Sequence, residues 1–328
     1  MKFMPVNFMS MTVMMTSTLM VLSSSSWLML WVALELNMFS FLPMMKLESK
    51  YYEDESMIKY FIFQSFASSL MLFSIMVMFM NNLNLIEFIF IMSILMKLGS
   101  FPCYFWFPSV MNGLNWFSCM ILSTWQKLAP LCMLIFYIGK NSTMLFISLM
   151  NILIGGMFGL FQSDLRILMA YSSISHLGWI MSILYFSMKF ISLLYFFVYT
   201  ILIIPIFILL NKFNIMNLNS LNKNSSMIVF SFIMMFLSLA GLPPLSGFFP
   251  KLLMIYSMVN FSMLMIIMMV LLSMLSLYMY LNVVFLMMFN MFKTLKIMKF
   301  NNWVMIAIMI SVMMMPIVML IYAVIFLN

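Results

Sequence analysis

Glu35, Lys97, Lys127 and Lys251 lie inside or against long apolar runs in a chain of which only 7% is charged. At bilayer depth a charge costs roughly 2.5–3.5 kcal/mol on insertion scales. Carboxylates and amines are also the groups that load and release protons. Burial disfavours the charged form of a lysine, a nearby carboxylate favours it, and a pair whose separation changes takes up and releases a proton. Four such groups in one hydrophobic chain point to a path for ions or protons. His176, the single histidine, sits in Tyr171-Ser-Ser-Ile-Ser-His176-Leu-Gly-Trp179. It has two readings: a core imidazole hydrogen-bonded to Ser172 or Ser173, and a member of a proton relay.

Glu35 lies in Trp27-Leu-Met-Leu-Trp-Val-Ala-Leu-Glu35-Leu-Asn-Met-Phe-Ser-Phe-Leu-Pro43. It is about 12 Å from either end of that run at about 1.5 Å per residue. A Glu side chain does not reach that far, so the group must be protonated, paired or in contact with internal water. Lys127, in Thr124-Trp-Gln-Lys127-Leu-Ala-Pro130, is equally central, and Pro130 leaves the Gln126 carbonyl without its helical donor. For both residues the alternative is a buried ion pair that fixes helix register. For Lys97 and Lys251 it is snorkelling to an interface. Asp164 and Arg166 read as a surface pair, and Glu87 as an interfacial residue.

These residues need long apolar elements to hold them. The 328 residues are 66% hydrophobic, with a mean hydropathy of +1.17. That leaves too little polar surface for a soluble domain of this size. The fold class is all-α, a polytopic transmembrane helical bundle. The runs are too long and unbroken for the alternating strands of a β-barrel. The first run reads as a retained span rather than a signal peptide. Cys103, Cys119 and Cys132 have no metal-ligand spacing and read as small buried hydrophobes. One histidine excludes bis-His haem, so no cofactor or metal site is expected in this chain. The 49 methionines, often where Leu would serve, suggest the coding bias of a mitochondrial genome.

At about 20 apolar residues per crossing, breaks at polar, Gly and Pro clusters mark about 11 spans. They are 6–22, 27–45, 57–80, 85–101, 115–137, 144–161, 165–186, 190–211, 227–242, 248–289 and 303–326. The tenth is too long for one straight helix and should be broken or strongly tilted. The whole chain, 1–328, reads as a single membrane domain. Of the fifteen basic residues, Lys2, Lys46, Lys50, Lys59, Arg166, Lys212, Lys223, Lys293, Lys296 and Lys299 fall on the N-terminal side. Lys140 and Lys189 fall opposite, and three are intramembrane. This bias places the N-terminus on the matrix or cytoplasmic side. It also accounts for the net charge of +8 without nucleic acid. Lys46–Ser56 reads as a solvated loop on that side.

Two segments interrupt the spans in matching ways, Gly99-Ser-Phe-Pro102-Cys-Tyr-Phe-Trp-Phe-Pro108 and Gly241-Leu-Pro243-Pro244-Leu-Ser-Gly247-Phe-Phe-Pro250. Each has a Gly, a Pro, aromatics and a second Pro, beside Lys97 or Lys251. Gly and Pro free carbonyls at membrane depth, which is tolerated only inside protein or along a wet cavity. Paired interruptions in two halves are expected of transporters built from inverted repeats. The alternative is two ordinary interhelical loops.

On these segments, together with Trp27–Pro43, Thr124–Pro130, Arg166–Trp179 and Leu239–Lys251, the chain resembles the NADH dehydrogenase subunit 2 family. These are antiporter-like membrane subunits of respiratory complex I. The resemblance covers nearly the whole chain. It implies a proton-translocating subunit of NADH:ubiquinone oxidoreductase in the mitochondrial inner membrane. It implies antiporter-like inverted repeats with two broken helices: a first half-repeat, N-terminally shortened, over about 1–137, a second over about 144–289, and a C-terminal span at 303–326. Glu35 then matches the family's key glutamate, Lys97 and Lys127 its central lysines, Lys251 the lysine of the second broken helix, and His176 a residue of its axis, in a row near the bilayer midplane. NADH, flavin, iron–sulfur clusters and ubiquinone are expected in other subunits. The expected partners are other membrane-arm subunits and lipid, including cardiolipin. The chain departs from the family at Cys103-Tyr104-Phe105-Trp106, where relatives carry Phe-His-Phe-Trp, and it lacks the acidic residue often found near Ser109–Asn112. Two further readings share the same residues, a cation/proton antiporter subunit and a purely structural subunit whose charges pin helices.

Overall fold

With lipid as solvent, every backbone N–H and C=O must be satisfied within the chain, so long apolar runs become helices. The structure, a computed structural model, describes residues 5–46, 51–78, 84–137, 142–186, 188–218, 226–243, 245–259 and 262–293. Among these are thirteen helices: α1 (Pro5–Ser23), α2 (Trp27–Met45), α3 (Tyr51–Met78), α4 (Asn84–Leu98), α5 (Trp106–Gly113), α6 (Trp116–Ser123), α7 (Trp125–Tyr137), α8 (Ser142–Leu160), α9 (Leu165–Tyr185), α10 (Lys189–Lys212), α11 (Ser226–Ala240), α12 (Phe248–Met258) and α13 (Met263–Lys293). The only strand-like pairing among them is an isolated bridge, Asp164 to Asn217. Among the described residues, eight stretches are long and apolar enough to cross a membrane, with α6 and α7 together forming one of them. The span expected at 303–326 lies outside the described residues.

The helices form two compact units, α1–α7 within Met1–Gly139 and α8–α13 within Lys140–Asn328. In the first, α2 packs on α1 and α3, α3 on α4 and α5, and α7 on α1, α2, α4 and α6. In the second, α9 packs on α8, α10, α12 and α13, and α11 closes against α13. Serines on these apolar helices turn their hydroxyls back to the carbonyl three residues earlier, as Ser74 does to Met71 (2.7 Å) and Ser93 to Phe90 (2.6 Å). The hydroxyl is thereby satisfied without a partner helix.

Small residues set how closely α8 and α9 approach. A Cβ at Gly155 would lie 2.6 Å from the Tyr171 carbonyl oxygen, and one at Gly178 would lie 2.7 Å from that of Ser148. Such backbone-to-backbone contact is the small-residue mode of membrane helix packing. Gly155→Leu is therefore expected to cost about 1–3 kcal/mol or more by overpacking. The check is a lower temperature of irreversible inactivation and less assembled protein in the membrane.

Two expectations change on folding and a third holds. The span at 115–137 divides at Thr124 (φ −111°, ψ −75°) into α6 and α7. There the Thr124 hydroxyl donates to the Met120 carbonyl at 2.6 Å, and the Thr124 N–H donates to the same oxygen at 3.1 Å. The long tenth span is broken, as expected, between α12 and α13. Lys46–Ser56 is not a solvated loop throughout, because helix α3 begins at Tyr51 and buries Glu53. Asn115 donates to the Glu53 carboxylate, while Lys46–Asp54 (2.9 Å) and Lys59–Glu55 (2.6 Å) remain half-exposed surface pairs. A carboxylate in the first turn of a helix meets unpaired N–H groups, which offsets part of its burial.

Candidate functional site

Both Gly/Pro interruptions end a helix in the same way. At the end of α4, Gly99 adopts φ +67°, its N–H donates to Met96 and the Ser100 N–H donates to Leu95, both at 3.1 Å. At the end of α11, Gly241 adopts φ +79°, its N–H donates to Ser238 at 3.1 Å and the Leu242 N–H donates to Leu237 at 3.4 Å. This is the Schellman arrangement, which needs a left-handed residue, and glycine takes it without steric cost. It satisfies two of the end carbonyls and leaves those of the last turn for side chains.

In the first unit the carbonyls of this helix end build a polar interior, with Met96 accepting a second donor beside the Gly99 N–H. The Trp106 indole N–H donates to Met96 at 3.0 Å, and the Gln64 amide donates to the Lys97 carbonyl at 3.1 Å. Lys97 is thus in the last turn of α4, where carbonyl dipoles favour a cation. Lys97 (6% exposed) and Lys127 (2% exposed) line one cavity of about 20 Å³ with Asn37, Tyr60, Gln64, Trp106, Phe107, Gln126 and Pro130. A water needs roughly 10–15 Å³ of such space, so the cavity has room for about one. The Lys127 ammonium sits 4.3 Å from the Phe107 ring centroid, a cation–π contact worth about 2 kcal/mol when desolvated. Gly99 makes room for this ring, because a Cβ there would be 2.8 Å from the Phe107 Cβ.

Glu35 does not line the cavity. It is half-buried on α2, within electrostatic reach of Lys97 and Tyr60. From Tyr60 a hydrogen-bonded chain continues: Tyr60 donates to Gln126 Oε1 (3.3 Å), and Gln126 Nε2 donates to Asn37 Oδ1 (3.2 Å). The sequence reading missed Asn37, Tyr60, Gln64 and Gln126. The available signal was Tyr60 and Gln64 one helical turn apart in an apolar run, which puts both on one face.

In the second unit, Lys251 on α12 reaches back over Gly241 and donates to the Ala240 carbonyl at 2.7 Å. A cation at the C-terminal end of α11 completes that helix's capping. The start of α12 is close enough that a Cβ at Gly247 would overlap the Ser238 carbonyl oxygen. His176 is buried, and its Nδ1 is 2.8 Å from the Tyr195 hydroxyl. Tyr195 is a partner that neither sequence reading of His176 named. Ser172 and Ser173 donate instead to Met169 and Ala170, each at 2.7 Å, because a helical serine finds its own carbonyl before a neighbouring side chain.

The chain matches the family described as NADH:quinone oxidoreductase/Mrp antiporter, TM, over residues 24–277. It is 42% identical over 264 residues to the NADH-ubiquinone oxidoreductase chain 2 of Lumbricus terrestris, covering 78% of this chain and 79% of that one. The chain belongs to this antiporter-like membrane family. The corresponding chain 2 of Anopheles gambiae is 41% identical over 255 residues, or 74% and 73% of the two chains. The family fold extends to distant proteins. A chain of respiratory complex I from Thermus thermophilus superposes with a TM-score of 0.83 at 20% identity, covering 96% of this chain and 78% of that one. One from the Mrp complex of Dietzia sp. superposes at 0.73 and 14%, covering 84% and 59%. In this chain each of the two helix breaks, at Gly99 and at Gly241, lies beside a lysine.

Proposed function

We propose that this chain is a proton-translocating membrane subunit of NADH:ubiquinone oxidoreductase, taking part in that enzyme without carrying redox centres. The observation that carries the reading is the pair of buried lysines, Lys97 and Lys127, on one small polar cavity, with Glu35 in electrostatic reach of Lys97. The relatives' names favour this complex over a cation/proton antiporter. Protons pass along Glu35, Lys97 and Lys127 in one half-repeat and His176 and Lys251 in the other, a row near the midplane. The half-repeats correspond to about 1–137 and 144–289. Flavin, iron–sulfur clusters and the NADH and ubiquinone sites belong to other subunits. The chain lies in the mitochondrial inner membrane with its N-terminus on the matrix side, among other membrane-arm subunits and lipid, including cardiolipin.

The mechanism follows from the cavity. A proton arriving at Glu35 neutralises the carboxylate and removes the charge that stabilises ammonium at Lys97. Lys97 then releases its proton through the cavity to water, or to Lys127 once that side chain has given up its own proton and is a neutral amine. Regaining the Glu35 charge recharges Lys97. Glu35→Gln keeps the side-chain shape and removes the switch. In the whole complex reconstituted in vesicles, this variant is expected to assemble and to move several-fold fewer protons per NADH oxidised. An unchanged ratio would overturn the reading, and a sodium requirement for transport would favour the antiporter.

A further inference from the structure

His176 sits in a phenol cluster that the relay above does not use. Tyr195 and Tyr199 are one turn apart on α10, so they share a face, and both meet His176 on α9. The Tyr195 hydroxyl is 2.8 Å from Nδ1, and the Tyr199 ring centroid is 4.9 Å from the imidazole centroid. Tyr280 on α13 is in electrostatic reach of both phenols. The Tyr199 and Tyr280 hydroxyls lie against Ser173 and Ser172. All four rings are buried: His176 is 7% exposed, Tyr195 2%, Tyr199 3% and Tyr280 1%. Two buried phenols against one imidazole, with a third in electrostatic reach of both, are costly if their hydroxyls serve only to fill space, because phenylalanine packs equally well without a polar group to desolvate.

We propose that Tyr195 is the positioning and proton-exchange partner of His176, and that the α9–α10–α13 hydroxyl cluster is the second unit's relay. This rests on the proton-translocating reading above. A neutral imidazole has one N–H, and the group at Nδ1 decides which nitrogen carries it. With the Tyr195 hydroxyl donating, Nδ1 is the acceptor and Nε2 holds the proton. In the exchange step the Tyr195 O–H bond breaks as the Nδ1–H bond forms, and the phenolic oxygen takes a proton from a neighbouring hydroxyl or water. The Nε2–H bond then breaks as a bond forms to the oxygen of a water molecule, and the ring returns to its neutral form. One proton crosses the ring and nothing is oxidised or reduced. Of the helices packed on α9, α10 contributes Tyr195 and Tyr199, α13 contributes Tyr280, and α8 carries no charged residue. On α12 the charged residue is Lys251, which is held at Ala240.

Tyr195→Phe removes one oxygen and keeps the ring. In the reconstituted complex it is expected to assemble, to move several-fold fewer protons per NADH oxidised, and to alter the pH profile of transport across about pH 5–8, where histidine titrates. Tyr195→Gln keeps a hydrogen bond to Nδ1 but exchanges its proton poorly, and it should assemble with transport still lowered. It decides the matter if Tyr195→Phe fails to assemble. Parental transport and pH profile in either variant, alongside impaired Lys127→Met, would overturn this inference alone. Parental transport in Lys127→Met as well would overturn the proton-translocating reading with it.

Discussion

Replacing Lys127 by Met is expected to leave the protein inserted and assembled while proton transport coupled to NADH oxidation falls several-fold. Lys127 is 2% exposed on the cavity wall, with its ammonium over the Phe107 ring. Met keeps the apolar length of the stem and deletes the charge, so the burial cost of roughly 2.5–3.5 kcal/mol disappears. The cation–π contact worth about 2 kcal/mol is lost with it, so stability should stay level or rise. A residue that only pinned helices would behave in the opposite way, because deleting its charge would weaken assembly and leave transport per complex unchanged. The measurement is the ratio of protons moved to NADH oxidised in sealed vesicles, together with the amount of assembled complex. An unchanged ratio would make Lys127 structural and remove the support it gives the proton-translocating reading.

Gly247→Ala is expected to abolish assembly, although it adds a single methyl group. The new Cβ would overlap the Ser238 carbonyl oxygen. That oxygen belongs to the helix backbone and already accepts the Gly241 N–H, so it has nowhere to go. Overpacking costs about 1–3 kcal/mol and occasionally more, and an overlap with backbone belongs at the upper end. Gly241→Ala makes a useful contrast. There the strain of φ +79° costs about 1–2 kcal/mol, and the new Cβ meets only the end of the Lys251 side chain, at 3.0 Å. A flexible side chain moves, so Lys251 should leave Ala240, and the complex should assemble with impaired transport. Native gel analysis and vesicle transport separate the two outcomes. Equal assembly of both variants would contradict the close approach of α12 to α11.

Much of the architecture was legible because membrane helices follow a local rule, that an apolar run of sufficient length satisfies its own backbone. Glu35, Lys97, Lys127, His176 and Lys251 stood out for the same reason, since a polar or charged group inside such a run has a large cost that can be read without knowing its neighbours. The Gly99 and Gly241 breaks were legible too, as paired Gly/Pro clusters. The division at Thr124 was not, because it depends on a hydroxyl competing for one carbonyl in an otherwise continuous run.

Which groups meet was decided only by tertiary structure. Glu35 comes within electrostatic reach of Lys97 and Tyr60, Lys127 rests on Phe107, and His176 finds Tyr195. Lys251 reaches a carbonyl eleven residues away across a turn. Sequence spacing determines which residues share a helix face, and burial cost determines that a charged group needs a partner. The choice of partner depends on the rotation and closeness of packed helices. Those are set by contacts such as Gly155 on Tyr171 and Gly247 on Ser238, between residues far apart along the chain or across a turn.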